Sequence, residues 1–156
     1  MPFYFAYGSN MDVERLETAR LNPEGIRSTR RTAGRLTGYR LTFNKPSAYF
    51  IGAGAANLEA SAGAHVYGTL NEMPEAGLEI LDRYENVALG QYERVSVQVE
   101  ELVSGQLVDA VAYIAFNNID DTMKPRSGYM NHLLAGRDIL PADWIAYLNS
   151  IPLIAE

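Results

Sequence analysis

A tight corner of small and polar residues, Gly8, Ser9 and Asn10, follows a run of alternating aromatic residues near the start of the chain. Glycine lets the backbone approach a ligand closely, and successive N–H groups at a strand-to-helix junction form a nest that binds anions. The corner therefore predicts a site for a carboxylate or a phosphate. An ordinary turn that caps the next helix is the simpler explanation of these three residues when the stretch is taken alone.

Ser9 also has the setting of a hydrolase nucleophile, because it stands in a tight turn directly after a predicted strand. The nucleophile elbow of hydrolases has the pattern Gly-x-Ser-x-Gly and uses a histidine as its base. This corner lacks the second glycine, and the chain offers two histidines, His65 and His132. We therefore do not predict a nucleophilic serine.

Glu85 lies on the apolar face of the clearest predicted helix, which begins near Pro74. Leu78, Leu81 and Glu85 are spaced i, i+3, i+7 and so share one stripe. The carboxylate also comes at the helix C-terminus, where the helix dipole disfavours negative charge. Burial and the dipole both raise a carboxyl pKa toward the range useful for proton transfer near neutral pH. Glu85 is the candidate acid and base; the alternative is a glutamate that leans out from a frayed helix end.

The chain has 10 tyrosines, which supply further polar groups. Tyr92, Tyr113 and Tyr129 fall in or beside predicted strands and a helix start, where a hydroxyl can face a pocket. Most buried tyrosines are core residues with one satisfied hydrogen bond. No tyrosine is assigned a function from its position alone.

Composition excludes several classes of function. Thirteen Lys and Arg against 19 Asp and Glu give a formal charge of −6, which argues against nucleic acid or an anionic membrane as partner. The arginine-rich segment from 27 to 40 is interpreted as a solvated edge strand.

The segment "GAGAAN", residues 52–57, resembles part of a dinucleotide-binding loop but lacks its third glycine and the helix that follows it. We therefore do not predict a nucleotide-binding site there.

Metal, disulfide and membrane sites are also not predicted. The chain has no cysteine, and His65 and His132 lie far apart without a nearby carboxylate partner in sequence. No charged-then-apolar leader precedes Phe3, and no apolar run is long enough for a membrane span. These features lead us to expect a cytoplasmic protein.

The predicted elements form a single α+β domain over residues 1–156, with a largely antiparallel, barrel-like sheet. Strands dominate the first two thirds of the chain and helices the end. Residues 45–63 are small, Gly-rich and weakly periodic, and are predicted as mostly loop. The other predicted elements are the strands "FYFAY", "LTGYRLTFNK" and "HVYGTL", a helix over "NMDVERLETA" capped by Asn10 or Asp12, the helix after Pro74, a hairpin turning at Ser104–Gly105, a helix over 127–137 and a helix from Pro141.

Taken together, these segments resemble the γ-glutamylcyclotransferase family over essentially the full chain. The resemblance lies in "FAYGSNM", in "VYGTL", "LDRYEN" and "QYERVSVQV" in that order, and in "AYIAF" and "KPRSGYMNHLLAGRDILP". It implies a small mixed β-barrel flanked by helices and an enzyme that needs no cofactor or metal. The implied site residues are Glu85 as catalytic acid and base, with Tyr7, Gly8, Ser9, Asn10, Tyr92, Tyr113 and Tyr129 around the substrate.

Two departures from the family pattern concern loop shape. Asn86 stands where the family often has glycine after the catalytic glutamate, and asparagine tolerates a left-handed helix cap. The proline that often follows the "AN" of the Gly-rich loop is missing, since this chain has "ANLEASAG".

The implied reaction cleaves a small γ-glutamyl amide by attack of its own α-amine, giving 5-oxoproline and a free amine. The resemblance favours γ-glutamyl amino acids; an alternative is removal of a γ-glutamyl protecting group from a natural-product amine such as an aminoglycoside. A non-catalytic module that senses γ-glutamyl or amino-acid ligands is the alternative from another class. Glu85 weighs against that module, because binding alone does not require it. The sequence gives no prediction of oligomeric state.

Overall fold

Five strands close into a β-barrel in the order β1-β3-β2-β4-β5. The computed structural model describes residues 1–155. The strand bounds are β1 Phe3–Ala6, β2 Arg30–Pro46, β3 Gly54–Glu72, β4 Glu93–Glu101 and β5 Leu107–Ile114. Strand β1 runs parallel to β5, and the other neighbouring pairs are antiparallel. The expected α+β fold with a small, mixed, mainly antiparallel barrel is confirmed.

Helices flank the barrel and follow the predicted order. The bounds are α1 Glu75–Tyr84, α2 Ser127–Leu134, α3 Ala142–Ser150, a π-helix Glu14–Leu21, and 3₁₀ turns at Ser9–Met11, Asn22–Glu24, Val87–Leu89 and Ala135–Asp138. Pro74 and Pro141 stand directly before α1 and α3. A helix start suits proline because the amide there has no partner within the helix.

The first helix differs in type from a regular α-helix. Its i→i+5 π pattern covers Glu14–Leu21, after a 3₁₀ turn that contains Asn10. The helix has Val13 as its N-cap, so neither Asn10 nor Asp12 holds that position. The Glu14 amide donates to Asp12 Oδ1 at 3.1 Å just before the helix. Asn10 is buried and donates instead to the Tyr4 hydroxyl, also at 3.1 Å.

The prediction of mostly loop for residues 45–63 was wrong. Strand β2 continues to Pro46 and β3 begins at Gly54, so 47–53 alone connects them. Small residues have low β propensity, but here strand pairing overrides it: β2 and β3 pair from Arg30↔Glu72 to Pro46↔Gly54, with register shifts between Thr37 and Tyr39 and between Thr42 and Lys45. Small side chains are also required there, because a Cβ on Gly54 would lie 1.9 Å from the Phe43 carbonyl oxygen.

The interpretation of the arginine-rich segment 27–40 as an edge strand was wrong, because β2 has neighbours on both sides. It pairs with β3 along its length and with β4 at Gly34 and Arg35. Closure of the barrel leaves no free edge at that point. Carboxylates far away in sequence neutralise its arginines, in the pairs Arg30–Glu101, Arg31–Asp138, Arg35–Glu100 and Arg40–Glu59.

The hydrophobic core fills the barrel and extends beneath the helices. Phe5, Val66, Leu70 and Val99 are fully buried in the strands. Leu81 of α1 is equally buried, so the apolar stripe of this helix faces the barrel as its spacing predicts. No helix in the described part of the chain is long and apolar enough to cross a membrane.

Candidate active site

A cavity of about 670 Å³ opens beside the barrel, between the loop after β1, the π-helix, the end of α1 and the start of α2. It brings together all eight site residues expected from the sequence. Its lining comprises Tyr4, Tyr7, Gly8, Ser9, Asn10, Arg15, Ala19, Arg20, Lys45, Pro46, Ser47, Ala48, Tyr49, Phe50, Ala55, Ala56, Tyr84, Glu85, Asn86, Gln91, Tyr92, Tyr113, Arg126, Gly128, Tyr129 and His132. Polar lining residues that were not expected from the sequence are Tyr4, Arg15, Arg20, Lys45, Arg126 and His132.

Glu85 is the C-terminal cap of α1, and its side chain is 19% exposed. Its amide donates to the Leu81 carbonyl at 2.8 Å, which fixes the residue at the end of the helix. Burial raises the pKa of the Glu85 carboxyl above the ordinary 4.5, and the nearby Arg20 and Arg15 guanidinium groups partly offset this. Asn86 follows with φ 52°, ψ 44°, the left-handed conformation that asparagine tolerates and that turns the chain away from the helix.

Arg15 and Arg20 face Glu85 from the π-helix. Arg20 Nη1 lies 4.0 Å from Glu85 Oε1, and its guanidinium stacks on the Tyr84 ring at 4.7 Å from the ring centre. Residues five apart point about 140° away from each other in an α-helix, whereas the i→i+5 pattern of a π-helix brings them toward one face. The π-helix therefore lets both arginines line the same cavity.

The corner at Gly8–Asn10 forms part of the cavity wall. Ser9–Met11 is a 3₁₀ turn, whose first amides have no partner within the turn. Gly8 approaches the wall so closely that a Cβ would lie 3.0 Å from the Ala56 Cβ and 3.3 Å from the Tyr129 hydroxyl. A side chain at position 8 would therefore crowd Ala56 and Tyr129, and glycine lets the backbone line the cavity there.

Two buried polar atoms at this cavity lack a hydrogen-bond partner within the described residues. They are the Asn10 Oδ1 acceptor and the Arg15 Nε donor. Unsatisfied buried groups are rare in folded proteins, because each costs about 1–3 kcal/mol. One acceptor and one donor at the same cavity match the ammonium and carboxylate of an α-amino acid.

Two of the expected tyrosines are anchored to the backbone of Ala56. The Ala56 amide donates to the Tyr129 hydroxyl at 2.9 Å, and the Tyr92 hydroxyl donates to the Ala56 carbonyl at 3.0 Å. Burial raises the pKa of both tyrosines. Both hydroxyls therefore remain protonated near neutral pH.

The other two expected tyrosines use their hydroxyls inside the protein. Tyr7 donates to the Tyr113 carbonyl in a short hydrogen bond. The Tyr113 hydroxyl lies 2.7 Å from Asp82 Oδ1 and 3.0 Å from the Leu78 carbonyl, and so holds β5 to α1. Their rings line the cavity, but their hydroxyls are engaged by the protein.

His132 pairs with a carboxylate that sequence reasoning did not connect to it. Its Nδ1 lies 2.8 Å from Asp12 Oδ2, 120 residues away in sequence, and the pair ties α2 to the corner loop. Across residues 1–155, no three His, Cys, Asp or Glu side chains cluster as a metal site requires.

Comparison with known proteins places this chain in a family. A sequence profile of the AIG2-like family matches residues 65–148. The γ-glutamylcyclotransferase of Bos taurus is 30% identical over 154 residues, which cover 95% of this chain and 77% of the bovine protein. The chain belongs to the AIG2-like, γ-glutamylcyclotransferase family.

Solved structures agree with this membership. A protein titled γ-glutamyl cyclotransferase matches with a TM-score of 0.86 and 25% identity, over 99% of this chain and 90% of the other. A human protein described as uncharacterized matches with a TM-score of 0.85 and 27% identity, over 99% and 89%. The fold of this chain, closed barrel included, is therefore similar to that of these solved proteins over nearly its full length.

Proposed function

We propose that this protein is a cofactor-independent γ-glutamylcyclotransferase, which converts a γ-glutamyl amide to 5-oxoproline and a free amine. The observation that carries the proposal is the Glu85 carboxyl, which lines one cavity with the unpartnered Asn10 Oδ1 and Arg15 Nε. The Glu85 carboxyl, whose pKa is raised, thus lines the same cavity as two polar atoms that could bind the ammonium and carboxylate of an α-amino acid.

The glutamyl end of the substrate fits the corner and the π-helix. Its α-ammonium donates to Asn10 Oδ1 and to Glu85, and its α-carboxylate accepts from the corner amides and from Arg15. Each buried atom left without a partner then gains one. Holding both groups folds the substrate so that its amine approaches its γ-carbonyl, and positioning of this kind supplies much of the acceleration.

Glu85 moves the protons of the reaction. As a carboxylate it takes a proton from the α-ammonium, and the free amine attacks the γ-carbonyl to form a C–N bond. The protonated Glu85 then gives its proton to the leaving nitrogen as the old C–N bond breaks. The carboxylate so formed takes the surplus proton from the ring nitrogen and passes it to the freed amine, which leaves as an ammonium. A carboxyl with a raised pKa suits both steps, because its carboxylate is a stronger base than an ordinary one and its acid form can return the proton.

The oxyanion formed on the γ-carbonyl is assigned to the Tyr129 hydroxyl. Tyr7 and Tyr92 donate their protons to carbonyl oxygens, and Tyr113 is held by Asp82 and the Leu78 carbonyl. The Tyr129 hydroxyl instead accepts from the Ala56 amide. It also hydrogen-bonds with Ser9, and because that bond lowers the Tyr129 pKa, Ser9 acts as a donor to the oxygen. The Tyr129 proton is then available to an acceptor in the cavity.

The charges of the cavity favour an amino acid as the leaving group. Arg15, Arg20, Lys45 and Arg126 line it, and Glu85 is the one carboxylic acid among its described lining residues. A leaving amino acid brings a carboxylate into this positive field, whereas an aminoglycoside brings further cations. The cavity is thus opposite in sign to the whole protein, whose formal charge is −6.

Incubation of the protein with γ-glutamyl amino acids and detection of 5-oxoproline tests the function. We expect 5-oxoproline and the free amino acid in equal amounts, and slower release from γ-glutamylated aminoglycosides. A binding module would retain affinity for these ligands and form no 5-oxoproline, which would contradict the proposal.

Replacement of Arg20 tests the role of its charge. Arg20→Met removes an attraction that lowers the Glu85 pKa, so that pKa rises further. Activity needs the carboxylate and is lost as pH falls through this pKa, so the acid limb of kcat/KM moves to higher pH. The matched control is Arg83→Met, which removes an exposed guanidinium paired with Glu24. An acid limb that stays in place in Arg20→Met would contradict this coupling.

A further inference from the structure

A second cavity, of about 410 Å³, adjoins the first through shared lining residues. Tyr49, Phe50 and Arg126 line both. The remaining walls of the second cavity are apolar: Ile51, Ala53, Ile154 and Ala155. Arg126 therefore stands at the junction between a polar cavity and an apolar one.

The loop 47–53 exposes three consecutive apolar side chains at this junction. Tyr49 is 71% exposed, Phe50 49% and Ile51 105%. Contiguous apolar groups in solvent mark a surface that a ligand or partner covers. Because these side chains adjoin the active-site cavity, the ligand they suit best is part of the substrate.

Backbone hydrogen bonds give this loop a defined shape. The amides of Tyr49 and Phe50 both donate to Ser47 Oγ at 3.1 Å. The Gly54 amide donates to the Lys124 carbonyl at 2.8 Å, and the Ile154 amide donates to the Pro125 carbonyl at 2.9 Å. The second cavity is thus built from three segments that are tied together.

Two cationic side chains line the active-site cavity at the end formed by the loop 47–53: Lys45 lies two residues before the loop in the chain, and Arg126 contacts Phe50 of the loop. The Arg126 guanidinium stacks over the Phe50 ring at 3.7 Å from its centre. Lys45 is 3% exposed, and its Nζ donates to the Asn117 carbonyl at 3.1 Å and lies 6.0 Å from the Tyr92 ring centre. An ammonium carries three N–H donors, so Lys45 can also bind an anion in the cavity that it lines.

On the basis of the proposed function, we propose that this end binds the leaving amino acid of the substrate. Lys45 and Arg126 hold its carboxylate, and the second cavity holds its side chain against Phe50, Ile51 and Ile154. A γ-glutamyl amino acid has two carboxylates, and two sets of cations line the cavity: Arg15 and Arg20 from the π-helix near Glu85, and Lys45 and Arg126 near the loop 47–53. The enzyme then prefers leaving amino acids with large apolar side chains.

A three-substrate comparison tests this preference. We expect kcat/KM for γ-glutamyl-phenylalanine to exceed that for γ-glutamyl-alanine by about tenfold, because the ring leaves water. The amide of phenethylamine has the same ring without the carboxylate, and we expect its kcat/KM to be at least about tenfold below that of γ-glutamyl-phenylalanine.

Two variants separate the carboxylate from the side chain. Lys45→Gln keeps a donor for Asn117 and should lower kcat/KM for γ-glutamyl-phenylalanine about tenfold without changing that for the phenethylamide. Ile51→Ser, at an exposed position, should reduce the preference for phenylalanine over alanine. Lys124→Gln, an exposed lysine near the same loop, is the control and should change neither value.

The outcomes distinguish failure of this inference from failure of the proposed cyclotransferase function. Turnover of all three substrates at similar kcat/KM overturns the inference and leaves the cyclotransferase function standing. Equal losses on the phenylalanine substrate and the phenethylamide in Lys45→Gln also overturn it. If no substrate gives 5-oxoproline, both the proposed function and the inference fail.

Discussion

Glu85→Gln lowers the turnover of γ-glutamyl amides by about a thousandfold, the middle of the range for loss of a general acid–base group. Glutamine has the shape of the carboxylic acid, but it neither takes a proton from the α-ammonium nor returns one to the leaving nitrogen. Substrate binding loses less, because Asn10 and Arg15 still hold the glutamyl end. Initial rates of 5-oxoproline release near neutral pH measure the effect, and KM should change far less than kcat.

The same substitution should not destabilise the fold, which separates a chemical role from a structural one. Burial raises the Glu85 pKa in the folded protein. The stability that its proton contributes is therefore fully present below the ordinary value and lost as pH rises through the folded pKa. At neutral pH the ionised carboxylate costs stability, and glutamine removes that cost. Urea unfolding near neutral pH should show a variant at least as stable as wild type, with the difference vanishing in acid.

Glu79→Gln is the matched control, because Glu79 lies on the exposed face of the same helix α1. It should leave both turnover and stability unchanged. Activity of Glu85→Gln within about tenfold of wild type would show that another group moves the protons, since loss of a general acid–base group costs more.

The position of Glu85 could be predicted because its determinants are local. Pro74 starts the helix, and the spacing of Leu78, Leu81 and Glu85 fixes which face meets the barrel. The hairpin at Gly105 was equally readable, since alternation and a glycine with φ 71° belong to one short segment. Residues that share a helix face or a turn need no knowledge of the rest of the chain.

The other half of the site depends on contacts between distant segments. Arg15 and Arg20 fall on different faces of an α-helix, and the π pattern that unites them has no clear sequence signal. The Tyr113 hydroxyl was expected at the substrate, but Asp82 lies 2.7 Å away and engages it. His132 finds Asp12 across 120 residues, through packing that periodicity does not report.

The start of β3 shows how tertiary packing decides both fold and site. Gly54 pairs with Pro46 where the register between β2 and β3 shifts, and its amide donates to Lys124. Two residues later, Ala56 anchors Tyr129 through its amide and Tyr92 through its carbonyl. A segment that reads as a flexible glycine-rich loop is in fact a wall of the cavity.

Gly54→Ala should therefore lower the free energy of unfolding by about 3 kcal/mol, the upper end of the usual cost of overpacking. The added Cβ would lie 1.9 Å from the Phe43 carbonyl oxygen and 2.9 Å from the Met123 Cβ, so backbone must move. Gly128→Ala is the control: its Cβ meets only Arg126 Nη1, at 3.7 Å, and alanine favours the helix α2. Urea midpoints of both variants, compared with wild type, measure the difference.

The Gly54→Ala molecules that do fold should also have a lower kcat. Displacement of the start of β3 moves Ala56, and with it the Tyr129 and Tyr92 side chains that hydrogen-bond to its backbone. We expect its kcat, corrected for the folded fraction, to fall by at least about tenfold, as a misplacement of about 1 Å is enough for larger losses. Loss of stability with full kcat per folded molecule would instead mean that Tyr129 is positioned independently of β3. Stability within about 0.5 kcal/mol of wild type, the usual range for an unconstrained site, would contradict the packing argument itself.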